Sequence, residues 1–264
     1  MSQRLETLAL YNLKGGVGKS TAAVQLAAFA ANYGRRVLVW DLDAQAAATW
    51  MLGLEAGLDQ KVRKLARGKR DWATSVLPTA WPRLSVLPAD FEIRHLDRYL
   101  DEVDRPQVIL AQTLADLGDR FDLVVFDCPP SLSTTAETLL RTVDVVAMPL
   151  IPAPLSLRTY QQIVGYLAEH RVRRLTLRPF LSMIDRRRRD HRDWGDQLRT
   201  RLPTAFRTEI PYAARIEASS RDRSPLAFGA AGRNQDAYAD RAARAFESLW
   251  LEVAGALHAA RIAA

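Results

Sequence analysis

The segment Lys14-Gly15-Gly16-Val17-Gly18-Lys19-Ser20 lies between an apolar run, Leu8-Ala9-Leu10-Tyr11, and a helix-forming stretch at 21–32. A glycine-rich turn joining a strand to a helix is a place where nucleotide phosphates bind. Glycine reaches turns closed to other residues and lets backbone N–H groups approach phosphate oxygens. Gly15, Gly16, Val17 and Gly18 supply that backbone, Thr21 carries it into the helix, and the helix N-terminus adds partial positive charge. Lys19 is placed to reach the β- and γ-phosphates, and the Ser20 hydroxyl to bind Mg²⁺. The general pattern G-x-x-x-x-G-K-[ST] is broken at its first position, where Leu13 stands and Lys14 follows. A second lysine so near the phosphates is costly unless it meets an anion, which suggests a separate use for Lys14.

Apolar runs alternate with helix-like stretches along the rest of the chain. Runs at 37–40, 84–87, 123–126 and 143–148 read as strands, and 175–177 with 180–183 as a further one that Pro179 interrupts. Stretches at 21–32, 107–117, 156–171 and 235–258 read as helices. Strands buried on both faces and separated by helices are the pattern of a parallel sheet. The expected fold is α/β, a single doubly wound domain over 1–264 with helices on both sides of a mostly parallel sheet. Ligands then lie beyond the C-terminal ends of the strands, where the 14–20 loop, Asp41 and Asp127 meet.

Composition narrows the classes. The chain has 264 residues, 48% hydrophobic and 25% charged, enough for a substantial core. No apolar run approaches the roughly 20 residues that span a bilayer. No secretory leader is apparent, since the first strand begins almost at once. Cys128 is the single cysteine, which excludes an internal disulfide and suits a reducing cytoplasm. Residues 1–150 carry 17 basic and 18 acidic side chains, and residues 151–264 carry 20 and 12. The excess positive charge is therefore C-terminal, and there it is all arginine, a residue whose fork matches phosphate oxygens.

Two further segments complete a nucleotide site. Phe121-Asp122-Leu123-Val124-Val125-Phe126-Asp127 is an apolar strand ending in an acid, suited to the Mg²⁺ shell. Cys128-Pro129-Pro130-Ser131 would follow as a loop near the γ-phosphate, with Cys128 a buried small residue rather than a nucleophile. Asp41-Leu42-Asp43-Ala44-Gln45 follows the second strand. Asp43 is the candidate for orienting the attacking water and for the metal shell; the bland reading makes it the N-cap of a helix at 44–52.

These three motifs resemble those of the ParA/MinD family of deviant-Walker ATPases. Ile184-Asp185-Arg186-Arg187 and the stretch from Ile210-Pro211 to Ser219 also resemble ParA proteins, so the likeness runs through most of the chain. It implies an ATP- and Mg²⁺-dependent sandwich homodimer in which Lys14 reaches the partner's phosphates and Lys19 acts within its own subunit. It makes Lys14, Lys19 and Asp43 the catalytic set. Ser20, Asp43 and Asp127 are the metal set, and Met183 and Pro211 join the loop in binding nucleotide. ParA proteins usually carry Pro-Gln after the second acid, whereas Ala44 precedes Gln45 here, which leaves that loop less rigid.

The resemblance further implies sequence-independent binding of double-stranded nucleoid DNA by the dimer, a cargo-associated ParB-like or adaptor protein that stimulates hydrolysis, and a cytoplasmic, nucleoid-associated location. The residues support it independently. Arg186, Arg187, Arg188, Arg189 and Arg192 form a dense run. Arg171, Arg173, Arg174, Arg215, Arg221 and Arg223 could extend it, with Asp185, Asp190, Asp193 and Asp196 partly neutralising. A second run at 61–70 holds six Lys or Arg and no acid. Of the alternatives, a MinD-like membrane helix would use Phe246, Leu249, Trp250, Val253 and Leu257, a stripe more often packed in a core, and no stable membrane association is expected. A metabolic enzyme on this scaffold is the other. A start at the first strand is also expected to mean no operator-binding domain.

Overall fold

The computed structural model describes residues 4–172, 175–229 and 241–263. In chain order the elements are β1 (Glu6–Leu10), α1 (Lys19–Asn32), β2 (Val37–Asp41), α2 (Ala47–Met51), α3 (Val62–Ala66), β3 (Leu77–Pro78), β4 (Leu84–Leu87), α4 (Leu96–Asp101), α5 (Pro106–Leu117), β5 (Leu123–Asp127), α6 (Thr134–Leu140), β6 (Val145–Leu150), α7 (Pro154–Glu169), β7 (Thr176–Ile184), α8 (Arg189–Arg201), β8 (Glu209–Pro211), α9 (Ala214–Arg221) and α10 (Arg241–Ala263). The strands form one sheet in the order β3-β4-β2-β5-β1-β6-β7-β8. Every pairing is parallel except β3 with β4. This is the doubly wound α/β sheet the alternation implied.

β2, β5 and β6 are buried at every residue, which is why they read as unbroken apolar runs. The pleat divides them between two cores. Leu38, Trp40, Val124, Phe126, Val146 and Met148 face α3–α6. Val37, Val39, Leu123, Val125, Val145 and Ala147 face α1 and α10. α1 is alanine-rich because it is covered on nearly all sides, by the sheet and by α10. The stripe Phe246, Leu249, Trp250, Val253 and Leu257 is buried in that second core. It is spent on packing and is not offered to a membrane surface. No helix among the described residues is long and apolar enough to cross a bilayer.

Two expectations change. Pro179 does not interrupt its strand: β7 runs through it without a break. A strand residue's N–H and C=O point to the same side, and the Pro179 carbonyl accepts from the Phe206 N–H (2.8 Å), on the β8 side. β8 begins opposite Leu181, so no ladder bond needs the N–H that proline lacks. The helix at 44–52 is only Ala47–Met51, and Asp43 is not its cap. The last helix is described from Arg241; residues 235–240 lie outside the described residues.

The register sets up the site. Leu10 pairs with Asp127, and Asp41 with Asp127, so β1, β2 and β5 end together. The loop after β1 therefore emerges beside both acids, at the C-terminal edge of the sheet.

Candidate nucleotide site

The 14–20 loop is pinned at its root. Asn12 donates from Nδ2 to the Pro149 carbonyl (2.7 Å) and accepts the Lys14 N–H on Oδ1 (2.9 Å). Gly16 and Gly18 hold φ of 70° and 91°, where a side chain would strain the backbone. A Cβ on Gly18 would also press the Ser182 hydroxyl at 3.2 Å. Gly18 hands the chain to α1, so the helix N-terminus opens onto the loop.

The two lysines differ sharply. Lys14 is exposed and Lys19 is buried, at 6% exposure. Lys19 Nζ donates to the Lys14 carbonyl (3.2 Å). Burial pulls its pKa down, against the opposing pull of Asp127 and Asp43. A buried ammonium near two carboxylates, with one hydrogen bond among the described residues, is a cation held for an anion.

Asp127 is fully buried, and neither carboxylate oxygen has a hydrogen-bond partner of normal geometry. Burial and then neighbouring Asp41 push its pKa well above the ordinary value; Ser20 and Lys19 lie near enough to offset part of this. An orphaned buried carboxylate beside a serine hydroxyl fits a hydrated divalent cation. A carboxyl with a raised folded pKa holds its proton more tightly folded than unfolded, so ionisation removes stability as pH rises above the usual carboxylate range. The nucleotide-free Asp127→Asn protein should therefore be more stable than wild type at pH 7.5, by about 2 kcal/mol or roughly 5 °C in Tm. The gap should narrow as pH falls toward 4. Thermal melts across pH check this, and an Asn variant that melts lower at pH 7.5 would show that the charge is already compensated.

Asp41 has a different task from Asp43. Its Oδ2 accepts the Thr49 N–H (2.8 Å) and hydroxyl (2.7 Å), and its Oδ1 accepts the Asp43 N–H (3.1 Å). Ala46 gives α2 no side-chain cap, so Asp41 caps it from the end of β2. Asp43 is half-buried and closes the following turn, its Oδ1 accepting the Gln45 N–H (3.0 Å) and its carbonyl the Ala46 N–H (2.8 Å). The rigidity that Ala44 does not supply thus has a local source. Across the site, the Tyr11 hydroxyl donates to the Ser131 carbonyl (2.8 Å), tying the 128–133 loop to β1. Cys128 is buried, and burial pushes its thiol pKa up, away from nucleophilic chemistry.

A cavity of about 270 Å³ opens beside Gly18 and Thr21, with Met183 and Pro211 on its wall. Ser182, Tyr212, Ile216, Glu217 and Phe246 also line it, and none of these five was named as a nucleotide contact from sequence. β8 and α9 are too short to give a periodic signal, and Phe246 arrives from a helix read only as core.

The arginine run forms the turn after β7 and the start of α8. Arg186 pairs with Glu209, Arg187 with Asp185, Arg188 with Asp190 and Arg189 with Asp193. Arg192 donates back to the Arg186 and Arg187 carbonyls and so holds the turn. Arg215 and Arg221 lie on α9, whose approach from Tyr212 is joined to β7 by the Tyr212 N–H on the Ile184 carbonyl (2.9 Å). Three of the proposed extensions do not join this face. Arg171 ends the crossover after α7, at the opposite edge of the sheet. Arg223 folds onto α2. In the 61–70 run, Arg63 and Arg67 both face Glu102. Arg173 and Arg174 lie outside the described residues.

Comparison with known proteins agrees with this geometry. A family model described as AAA domain matches residues 5–180. Sporulation initiation inhibitor protein Soj of Bacillus subtilis is 30% identical over 246 residues, covering 89% of this chain and 96% of Soj. Coverage varies among curated relatives, and the chain spans only 43% of the length of one of them. Cobyrinic acid a,c-diamide synthase of Mycobacterium smegmatis, solved with ADP and magnesium, is 26% identical with a TM-score of 0.73, over 83% of this chain and 92% of that one. A variant of McdA from Cyanothece, solved as an ATP complex, shares the fold with a TM-score of 0.78 over 97% of each chain at 20% identity. With a phosphate loop of two lysines, two strand-end acids and a match across most of its length, the chain belongs to the ParA/MinD family of P-loop ATPases.

Proposed function

We propose that this protein dimerises on Mg·ATP, binds DNA without sequence preference in that state, and positions an intracellular cargo with a partner that stimulates hydrolysis. The observation that carries this reading is the opposed burial of two lysines on one loop. Lys19 serves its own subunit from within. Lys14, exposed on a backbone fixed by Asn12, is free to serve another. In this reading the backbone of Gly15 to Thr21 and the Lys19 ammonium hold the phosphates. Met183, Pro211 and their neighbours hold the base, Ser20 and Asp127 the magnesium, and Asp43 the attacking water. Magnesium, when bound, neutralises phosphate charge.

The arginines support the DNA part. The pairs of Arg188 with Asp190 and of Arg189 with Asp193 lie at the surface, where solvent weakens them, so exchanging these acids for phosphates costs little. A metabolic reading draws support from the likeness to cobyrinic acid a,c-diamide synthase; it requires ATP turnover that depends on a small-molecule acceptor and not on DNA.

Sedimentation with a non-hydrolysable ATP analogue should give a dimer for wild type and a monomer for Lys14→Ala. DNA affinity should appear with the analogue and not with ADP. It should fall on the order of 10²-fold between 50 and 200 mM salt if four phosphates are neutralised. Replacing Arg186 to Arg189 with acids should remove most of that binding and leave ATP turnover intact. A wild-type protein that stays monomeric with saturating analogue would overturn the reading.

A further inference from the structure

α2 and α9 end in the same backbone motif. In α2, Leu54 N–H bonds the Thr49 carbonyl (3.3 Å) and Gly53 N–H the Trp50 carbonyl (3.0 Å). In α9, Ser224 N–H bonds the Ser219 carbonyl (2.9 Å) and Arg223 N–H the Ser220 carbonyl (3.1 Å). The motif needs a left-handed residue after the cap, usually glycine. α2 uses Gly53, at φ 91°, whereas α9 uses Arg223, at φ 51°. Arginine is disfavoured there, as it is where α7 ends the same way on Arg171 at φ 53°, and what marks Arg223 is where its side chain goes.

That side chain reaches the end of α2. Its Nε donates to the Trp50 carbonyl (2.7 Å) and its Nη2 to the Leu54 carbonyl (2.9 Å). The guanidinium lies 5.3 Å from the centre of the Trp50 ring and 3.5 Å from Glu55. One carbonyl in the last turn of α2 and one just beyond it are thus held from the end of α9.

The connection continues in both directions. Upstream, α2 is fixed by Asp41 through Thr49, and Asp41 also holds the Asp43 N–H. Downstream, α9 carries Arg215 and Arg221. α9 also walls the cavity assigned to the base, through Ile216, Glu217 and Ser220. The base is common to ADP and ATP, so that contact cannot tell them apart. Of the segments that Arg223 joins to α9, the one at Asp41–Asp43 lies near Lys19, where a third phosphate would be felt.

We propose that Arg223 is a positioning residue that carries the difference between ATP and ADP from the Asp41–Leu54 segment to α9. The proposal rests on the nucleotide assignment above, and its consequence for DNA rests on the proposed arginine face. Arg223 binds neither nucleotide nor DNA. It sets where α9 sits once the γ-phosphate has set α2.

Arg223→Gly is the decisive variant, because glycine suits the left-handed position and leaves the end of α9 intact. Amide hydrogen exchange of the full chain, with Mg·ADP or with a Mg-bound non-hydrolysable ATP analogue, reads the coupling directly. In wild type the α9 amides should exchange about fivefold more slowly with the analogue than with ADP. In Arg223→Gly that ratio should fall below about twofold, while residues 42–52 still respond and the dimer fraction is unchanged. The preference for duplex DNA with analogue over ADP should shrink about tenfold in the same variant. Arg223→Lys, which keeps the charge without the fork, should resemble Arg223→Gly. Retention of the wild-type exchange ratio by Arg223→Gly, or equal exchange of wild-type α9 with both nucleotides, would overturn the proposal. A wild type that binds no DNA in any nucleotide state would instead sink the DNA reading, leaving Arg223 to be judged by exchange alone.

Discussion

Lys19→Ala is expected to lose nucleotide binding almost entirely, by at least about 10²-fold or roughly 3 kcal/mol. The size follows from the site. Lys19 is buried, and among the described residues one of its three ammonium hydrogens is met, by the Lys14 carbonyl. Asp127 and Asp43 lie near enough to pull on its charge. Among the described residues no other lysine or arginine is buried to take over the task, and Lys14 is exposed. Titration with a fluorescent ATP analogue measures the effect. Tight binding by the variant would remove the phosphate-loop assignment, and the rest of the nucleotide site with it.

Asp43→Ala should bind Mg·ATP within about threefold of wild type and hydrolyse it 10²- to 10³-fold more slowly, the range expected when a group that orients water is lost. The dimer should then persist, and on the proposed reading so should its complex with DNA. One complication is visible in the structure: the same carboxylate accepts the Gln45 N–H and closes the turn. Asp43→Asn keeps an acceptor at that oxygen while losing the charge. Equal loss in both variants assigns the effect to charge; loss in the alanine variant alone assigns it to the turn. Phosphate release in a single turnover separates the cases, and normal release by both would free Asp43 from any part in hydrolysis.

The phosphate loop, the strand-end acids and the parallel sheet were readable because each is written in contiguous residues. An apolar run that ends in Asp, or three glycines around two lysines, carries its own geometry. What escaped was made by packing between distant segments. The cavity wall joins Gly18 to Tyr212 and Phe246, residues some two hundred positions apart. Asp41 was read as an acid at the ligand edge, and its task as the cap of α2 is one that only the fold of the 42–49 loop could show. Pro179 looked like a break because its place beyond the start of β8 is a property of the sheet. Arg223 was counted among the surface cations because the carbonyls it holds lie some 170 positions away in sequence.

The central position of β1 has a consequence during synthesis. Its neighbours are β5, paired from Glu6 to Leu123, and β6, paired from Leu8 to Val145. β1 therefore leaves the ribosome more than a hundred residues before either flank exists. The phosphate loop, rooted by Asn12 on the carbonyl of Pro149, takes its shape only after that point. A nascent chain shorter than this should not be able to retain nucleotide, so the switch is assembled late and cannot engage while half made.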